Sequence, residues 1–120
     1  DKFIKWANDN NIKFLATEKQ FYSKALFVAG TADLMFEKDG KRYVGDVKTF
    51  KKLWDRTPMF QCAGYAYLAQ EMGEPPFDGY CVLRLSEDGS FEEKWSYDVQ
   101  GDTRAFLAAC ELYRQLAQWN

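Results

Sequence analysis

The sequence predicts an α/β (mixed α+β) domain, a central β-sheet flanked by helices. Three observations carry that prediction. Asp39-Gly40 and Asp88-Gly89 each sit between runs of strand-forming residues, the pattern of a tight hairpin. Between the hairpins, Thr57-Pro58 opens a helical stretch that Gly73 and Pro75-Pro76 close. With helical patterns at both ends, the order reads α-β-β-β-β-α-β-β-α, which is a layered domain.

The elements follow in chain order. Residues 1–9 place Phe3, Ile4 and Ala7 at helical spacing with Trp6 beside them, and Asn8 to Asn11 is a turn. Residues 12–18 read as a strand in which Ile12, Phe14, Ala16 and Glu18 share one parity. Residues 20–28 continue the sheet, with a turn near Ser23-Lys24. The first hairpin covers 31–37 and 42–49. The helix that begins at Thr57-Pro58, with the Thr57 hydroxyl as cap, runs to about Met72. Met59, Cys62, Ala63, Ala66 and Ala69 form its core stripe, and Gln61 and Tyr65 share another face. The second hairpin, 79–86 and 91–97, is expected to oppose Arg84 to Glu93 and Val82 to Trp95. A last helix starts at Gly101-Asp102 with Asp102 as cap and runs to about Trp119. Its buried stripe is Phe106, Leu107, Cys110, Tyr113 (or Leu112) and Leu116.

Composition narrows the function classes. Hydrophobic content of 47% and aromatic content of 18% describe a globular chain rather than a disordered one. The expectation is one domain over residues 1–120; the start at Asp1 rather than Met is read as the mark of a fragment or a processed chain. No apolar run has transmembrane length, so no membrane partner is expected. Cys62, Cys81 and Cys110 are scattered and odd in number, which reads as buried free thiols in a reducing, cytoplasmic compartment. The chain has no histidine, which excludes Ser-His and Cys-His catalysis and His-ligated zinc within it. With neither G-x-G-x-x-G nor a P-loop, no nucleotide cofactor is expected.

The first hairpin carries the chemistry. A two-residue turn at Asp39-Gly40 sets Glu37 opposite Arg42, Met35 opposite Val44 and Asp33 opposite Asp46. The Glu37–Arg42 pair favours that register. The Asp33–Asp46 pair opposes it, because directly facing residues have Cβ atoms only ~5 Å apart and like charges there destabilise a sheet. Lys48 points to the same face as Asp46, while Ala32, Leu34 and Phe36 against Tyr43, Gly45 and Val47 form a core face. Two facing acids beside a lysine call for a cation. All-oxygen ligands without His or Cys suit Mg²⁺ or Mn²⁺, one or two ions, with the Val47 carbonyl and Glu18 as further ligands. The matching reaction is metal-assisted phosphodiester hydrolysis, in which Lys48 orients or helps deprotonate water, or stabilises charge on the phosphorane. Residues 38–56 add a basic run, seven Lys/Arg against three Asp, whereas 71–102 hold nine acids against Arg84 and Lys94. Lys51, Lys52 and Arg56 are therefore candidate phosphate contacts. Trp54 is a candidate base-stacking residue, or an anchor of its own loop.

Taken together, Gly30-Thr31-Ala32-Asp33, Asp46-Val47-Lys48-Thr49 and Gln61-Cys62-Ala63-Gly64-Tyr65 resemble the motifs of the PD-(D/E)xK nuclease superfamily. The likeness is to its RecB-like and phage-exonuclease branch, which includes the mitochondrial genome maintenance exonucleases. It covers about residues 14–70. The resemblance implies a restriction-endonuclease-like core and a Mg²⁺- or Mn²⁺-dependent DNA nuclease, an exonuclease by branch. It gives Glu18 the place of the upstream glutamate, Asp33 and Asp46 those of metal ligands, and Lys48 that of the catalytic lysine. Gln61 and Tyr65 then match the pair that helps hold substrate. Two family features are missing here: the upstream histidine of some relatives, and the four-cysteine iron–sulfur cluster of others. The alternatives are a structure-selective or nicking endonuclease, and a non-catalytic DNA-binding module that keeps a nuclease fold.

Overall fold

The computed structural model describes residues 2–23, 28–48, 55–85 and 89–118, with side chains at all of these except 19, 21–23 and 28–32. Helix α1 (Lys2–Asp9) leads into β1 (Lys13–Ser23), β2 (Val28–Lys38) and β3 (Lys41–Lys48). Helix α2 (Thr57–Glu71) crosses to β4 (Gly79–Leu85), which is followed by β5 (Phe91–Ser96) and helix α3 (Val99–Ala117). The five strands lie in sequence order, and β3 with β4 is the parallel pair. An antiparallel pair can close with a tight turn, but a parallel one needs a crossover, and α2 supplies it. The result is the mixed sheet flanked by helices that the sequence predicts.

Both faces of the sheet are buried. Leu34, Phe36, Tyr43, Cys81 and Leu83 pack with Trp6 and Ala7 of α1. Met35, Val44, Tyr80 and Val82 pack with Met59, Cys62, Ala63, Ala66 and Ala69 of α2. The expected small-residue stripe of α2 is therefore the one it lays on the sheet. Leu68 is buried as well, and Gly64 lies against the Phe106 ring of α3. The helix is thus covered on more than one side, and the layers run α1, sheet, α2, α3.

The first hairpin has the expected register, from Lys38 opposite Lys41 to Leu34 opposite Gly45. Asp39 and Gly40 have φ of +53° and +78°, as a type I′ turn requires. Arg42 stands opposite Glu37, but its guanidinium pairs with Glu74 at 3.0 Å and lies over the Phe77 ring, fastening the α2–β4 connection.

Several expectations are corrected. Residues 13–23 form one strand, not two. A bulge lies between Phe14 and Ala16, and beyond it the ladder with β2 runs on in one register to Ser23 opposite Val28. Residues 24–27, which include the far side of the expected turn, lie outside the described residues. Ile4 is exposed, and α1 buries Trp6 and Ala7 instead. The second hairpin is shifted by one residue: Arg84 opposes Glu92, Val82 opposes Lys94, and Cys81 opposes Trp95. That slip puts Trp95 against Phe36 and Tyr43 on the α1 face, and a one-residue slip moves every side chain of a strand to the other face. At α2 the capping acceptor is Asp55 Oδ1, which takes the Thr57 N–H at 2.8 Å, and Arg56 is the cap residue. At α3, Asp98 accepts from the Gly101 N–H at 3.0 Å, so Asp98 and not Asp102 caps the helix. The expected stripe of α3 is not a buried one: Phe106, Leu107 and Cys110 are half-buried, Leu112, Tyr113 and Leu116 are exposed, and the residue of this helix that is buried is Asp102.

Candidate functional site

Strand alternation sets the site. Val44 packs on the α2 face, so Asp46 and Lys48 follow it there, and Asp33 shares that face with Met35. All three stand near the carboxyl end of β3, beside the parallel β4 and under the first turns of α2. Asp46 is 3% exposed. Its Oδ2 lies 2.8 Å from Lys48 Nζ, in an ion pair not aligned as a hydrogen bond. Asp33 Oδ2 accepts the Val47 N–H at 3.0 Å, which holds the Asp33 carboxylate at the start of the Asp46-Val47-Lys48 segment. The Val47 contact the structure gives is thus its amide.

The electrostatics follow from this packing. Burial, first, and then hydrogen bonding with the Asp33 carboxyl push Asp46 up to about 6, while the Lys48 ammonium pulls the other way. Burial lowers the Lys48 pKa, but Asp46, Tyr65 and Asp33 together outweigh it, so the net shift is upward and Lys48 is an ammonium at neutral pH. Lys48 Nζ also donates to Gln61 Oε1 at 3.1 Å. That bond joins β3 to α2 and brings Gln61 into the cluster. Tyr65, one turn further along α2, is raised by burial and by the Asp46 carboxylate, which places it in the same electrostatic neighbourhood. Asp33, Asp46, Lys48, Gln61 and Tyr65, far apart in sequence, are therefore brought together.

Glu18 does not converge with Asp33 and Asp46 as a metal-holding group. It lies between the Thr17–Leu34 and Lys19–Ala32 pairs, hence across from Asp33 in the ladder, and it is exposed. Its φ of +50° is unusual for a non-glycine residue in a strand and interrupts the alternation that would fix its direction. Among the described residues no three His, Cys, Asp or Glu side chains converge as a metal-holding group. The carboxylate set is a pair. It suits a hard cation that keeps several waters: a buried carboxylate, Asp46, and a half-buried one, Asp33, share a face, and Asp46 has an oxygen that lacks an aligned hydrogen bond.

Arg56 Nη2 reaches Asp102 Oδ1 at 2.9 Å and Ser96 Oγ at 2.7 Å, so its guanidinium is engaged within the chain. Lys51, Lys52 and Trp54 lie outside the described residues. One residue of this neighbourhood is not singled out by the sequence. Arg84 is buried on β4 directly beside Lys48 in the parallel ladder, with Nε 3.4 Å from Glu92. Its only signal in the sequence is an arginine within an otherwise apolar strand, Gly79–Leu85.

No family model matches the chain, and no curated protein matches it. Among solved structures it is similar to one described as "Crystal structure of SSO0001", with a TM-score of 0.53 and 16% identity. The match covers 93% of this chain and 55% of that one, so this chain spans about half the length of its neighbour. At that identity the likeness concerns the fold. Among the described residues no helix is long and apolar enough to cross a membrane.

Proposed function

We propose that the chain is a Mg²⁺- or Mn²⁺-dependent deoxyribonuclease of the PD-(D/E)xK type, acting as an exonuclease in a reducing, cytoplasmic compartment. The observation that carries this reading is the buried Asp46 beside the half-buried Asp33, with Lys48 ion-paired to Asp46 and bonded to Gln61. Asp33 and Asp46 would hold the cation, with the Val47 carbonyl as a further donor. A bound divalent cation polarises a phosphoryl oxygen and lowers the pKa of a water. The chain's own part is positional and electrostatic. Lys48, held as an ammonium, stabilises charge on the phosphorane and orients the water, and its upward shift argues against its serving as the base. Gln61 fixes the Lys48 head. Lys51 and Lys52 contribute phosphate contacts and Trp54 a stacking surface.

Digestion of end-labelled linear DNA with Mn²⁺ or Mg²⁺, beside a circular single strand, tests the reading. Cleavage should be lost in Asp46→Ala and Lys48→Ala with the fold retained. Cutting of the circle would assign an endonuclease instead. Undiminished cleavage by pure Asp46→Ala protein would remove the proposal. A second reading, a DNA-binding module without catalysis, is favoured by one observation: Glu18 does not complete a three-carboxylate set. It predicts DNA binding without metal-linked stabilisation.

A further inference from the structure

Asp102 is completely buried and lies far from the carboxylate pair in sequence. It accepts the Ser96 hydroxyl at 2.6 Å through Oδ2 and the Arg56 guanidinium at 2.9 Å through Oδ1. A carboxylate withdrawn from water in this way needs its charge met within the fold, and Arg56 meets it. Arg56 is also the residue on which α2 begins. Its carbonyl accepts the Met59 N–H at 2.9 Å, its side chain caps no N–H of the helix, and its guanidinium instead ties the helix start to β5 and α3. Gln61, which receives Lys48 Nζ, is five residues further on, in the second turn.

We propose that Asp102, through Arg56 and together with Ser96, is a positioning residue: it pins the first turns of α2 so that Gln61 is held against Lys48. This rests on the nuclease reading above. It also gives Arg56 a task other than binding DNA. The basic run 48–56 is fastened at both ends by acids of the same chain, Lys48 by Asp46 and Arg56 by Asp102. An interaction at one end of α2 then reaches the reacting groups through the rigid helix, and small misplacements of reacting groups are costly to rate.

The test compares Asp102→Asn, Arg56→Gln, Arg56→Lys and Ser96→Ala with the parent chain. Cleavage of end-labelled linear duplex DNA in Mn²⁺ should show kcat lowered about tenfold to a hundredfold in Asp102→Asn and Arg56→Gln, with KM little changed. Arg56→Lys, which can still pair with Asp102, should recover most of the loss. The salt dependence of DNA binding should be the same in Arg56→Gln as in the parent, whereas loss of a phosphate-contacting arginine would reduce the slope by about 1. Amide exchange over residues 57–61 should quicken in Asp102→Asn and Ser96→Ala. Normal kcat in Asp102→Asn, unchanged exchange there, or a shallower salt slope in Arg56→Gln would overturn the inference. If the parent chain does not cut DNA at all, the nuclease reading falls, and the exchange measurement alone still decides whether Asp102 pins α2. Should Asp102→Asn fail to fold, Ser96→Ala and the Arg56→Lys comparison decide it.

Discussion

Replacing Asp46 by Asn should stabilise the metal-free protein at neutral pH while removing the proposed cation site. Asp46 is raised from 3.8 to about 6, chiefly by burial. A carboxyl whose pKa is higher in the fold than in the unfolded chain favours folding when protonated. Its contribution is intact below about pH 4, falls as pH rises from there, and is lost once pH passes about 6. At 1.36 kcal/mol per unit, the upper bound on the cost of ionising it is about 3 kcal/mol. Solvent reaching the site beside the partly exposed Lys48 side chain reduces this to about 1–3 kcal/mol. The pull of Lys48 is already contained in the net shift. Asn mimics the protonated acid, so Asp46→Asn should exceed the parent by about 1–3 kcal/mol at pH 7.5 and match it near pH 3.5. Urea unfolding followed by tryptophan fluorescence, with chelator present, measures this across that range. An Asn variant less stable than the parent at pH 7.5, or a difference independent of pH, would refute the account of two acids sharing one buried face.

Three further outcomes follow from the same geometry. Mn²⁺ at about a hundred times its dissociation constant should stabilise the parent by about 2.7 kcal/mol, seen as a higher melting temperature, and leave Asp33→Asn unmoved. Gln61→Ala should lower kcat while leaving Mn²⁺-linked stabilisation intact, since it removes one hydrogen bond of Lys48 without touching the acids; loss of both would put Gln61 in the proposed metal site itself. Gly64→Ala should destabilise by about 1–3 kcal/mol in chemical denaturation, because a Cβ there would lie 2.5 Å from the Phe106 ring, and Phe106→Leu should partly restore it.

What is legible in the chain is local. Asp39-Gly40 dictates its own turn, and a two-residue type I′ turn fixes the register up both strands as far as Leu34 opposite Gly45, one pair short of Asp33 and Asp46, so the nearness of those acids follows from the residues of one hairpin. The small-residue stripe of α2 is legible for the same reason, since helical periodicity is a property of a short window. Where the local signal allows two answers, distant contacts choose between them. Arg84 finds a glutamate opposite it in either register of the second hairpin, Glu93 or Glu92, and the choice falls to Trp95, which packs on the α1 face. Asp98 and Asp102 both suit a cap by residue type, and which of them is buried depends on Ser96 and Arg56, from other elements.

By itself, then, the sequence determined the fold class, the carboxylate hairpin and the residues that stand on its reactive face, because turn chemistry and periodicities of two and 3.6 act over a few residues. Only the tertiary structure decided that this face lies under α2, that Gln61 meets Lys48, that Glu18 is exposed and does not converge with the acid pair as a metal-holding group, and that Arg56 answers a buried Asp102. Those outcomes depend on desolvation and on contacts between residues distant in sequence, and the energy of a buried charge is set by whatever the whole fold places around it.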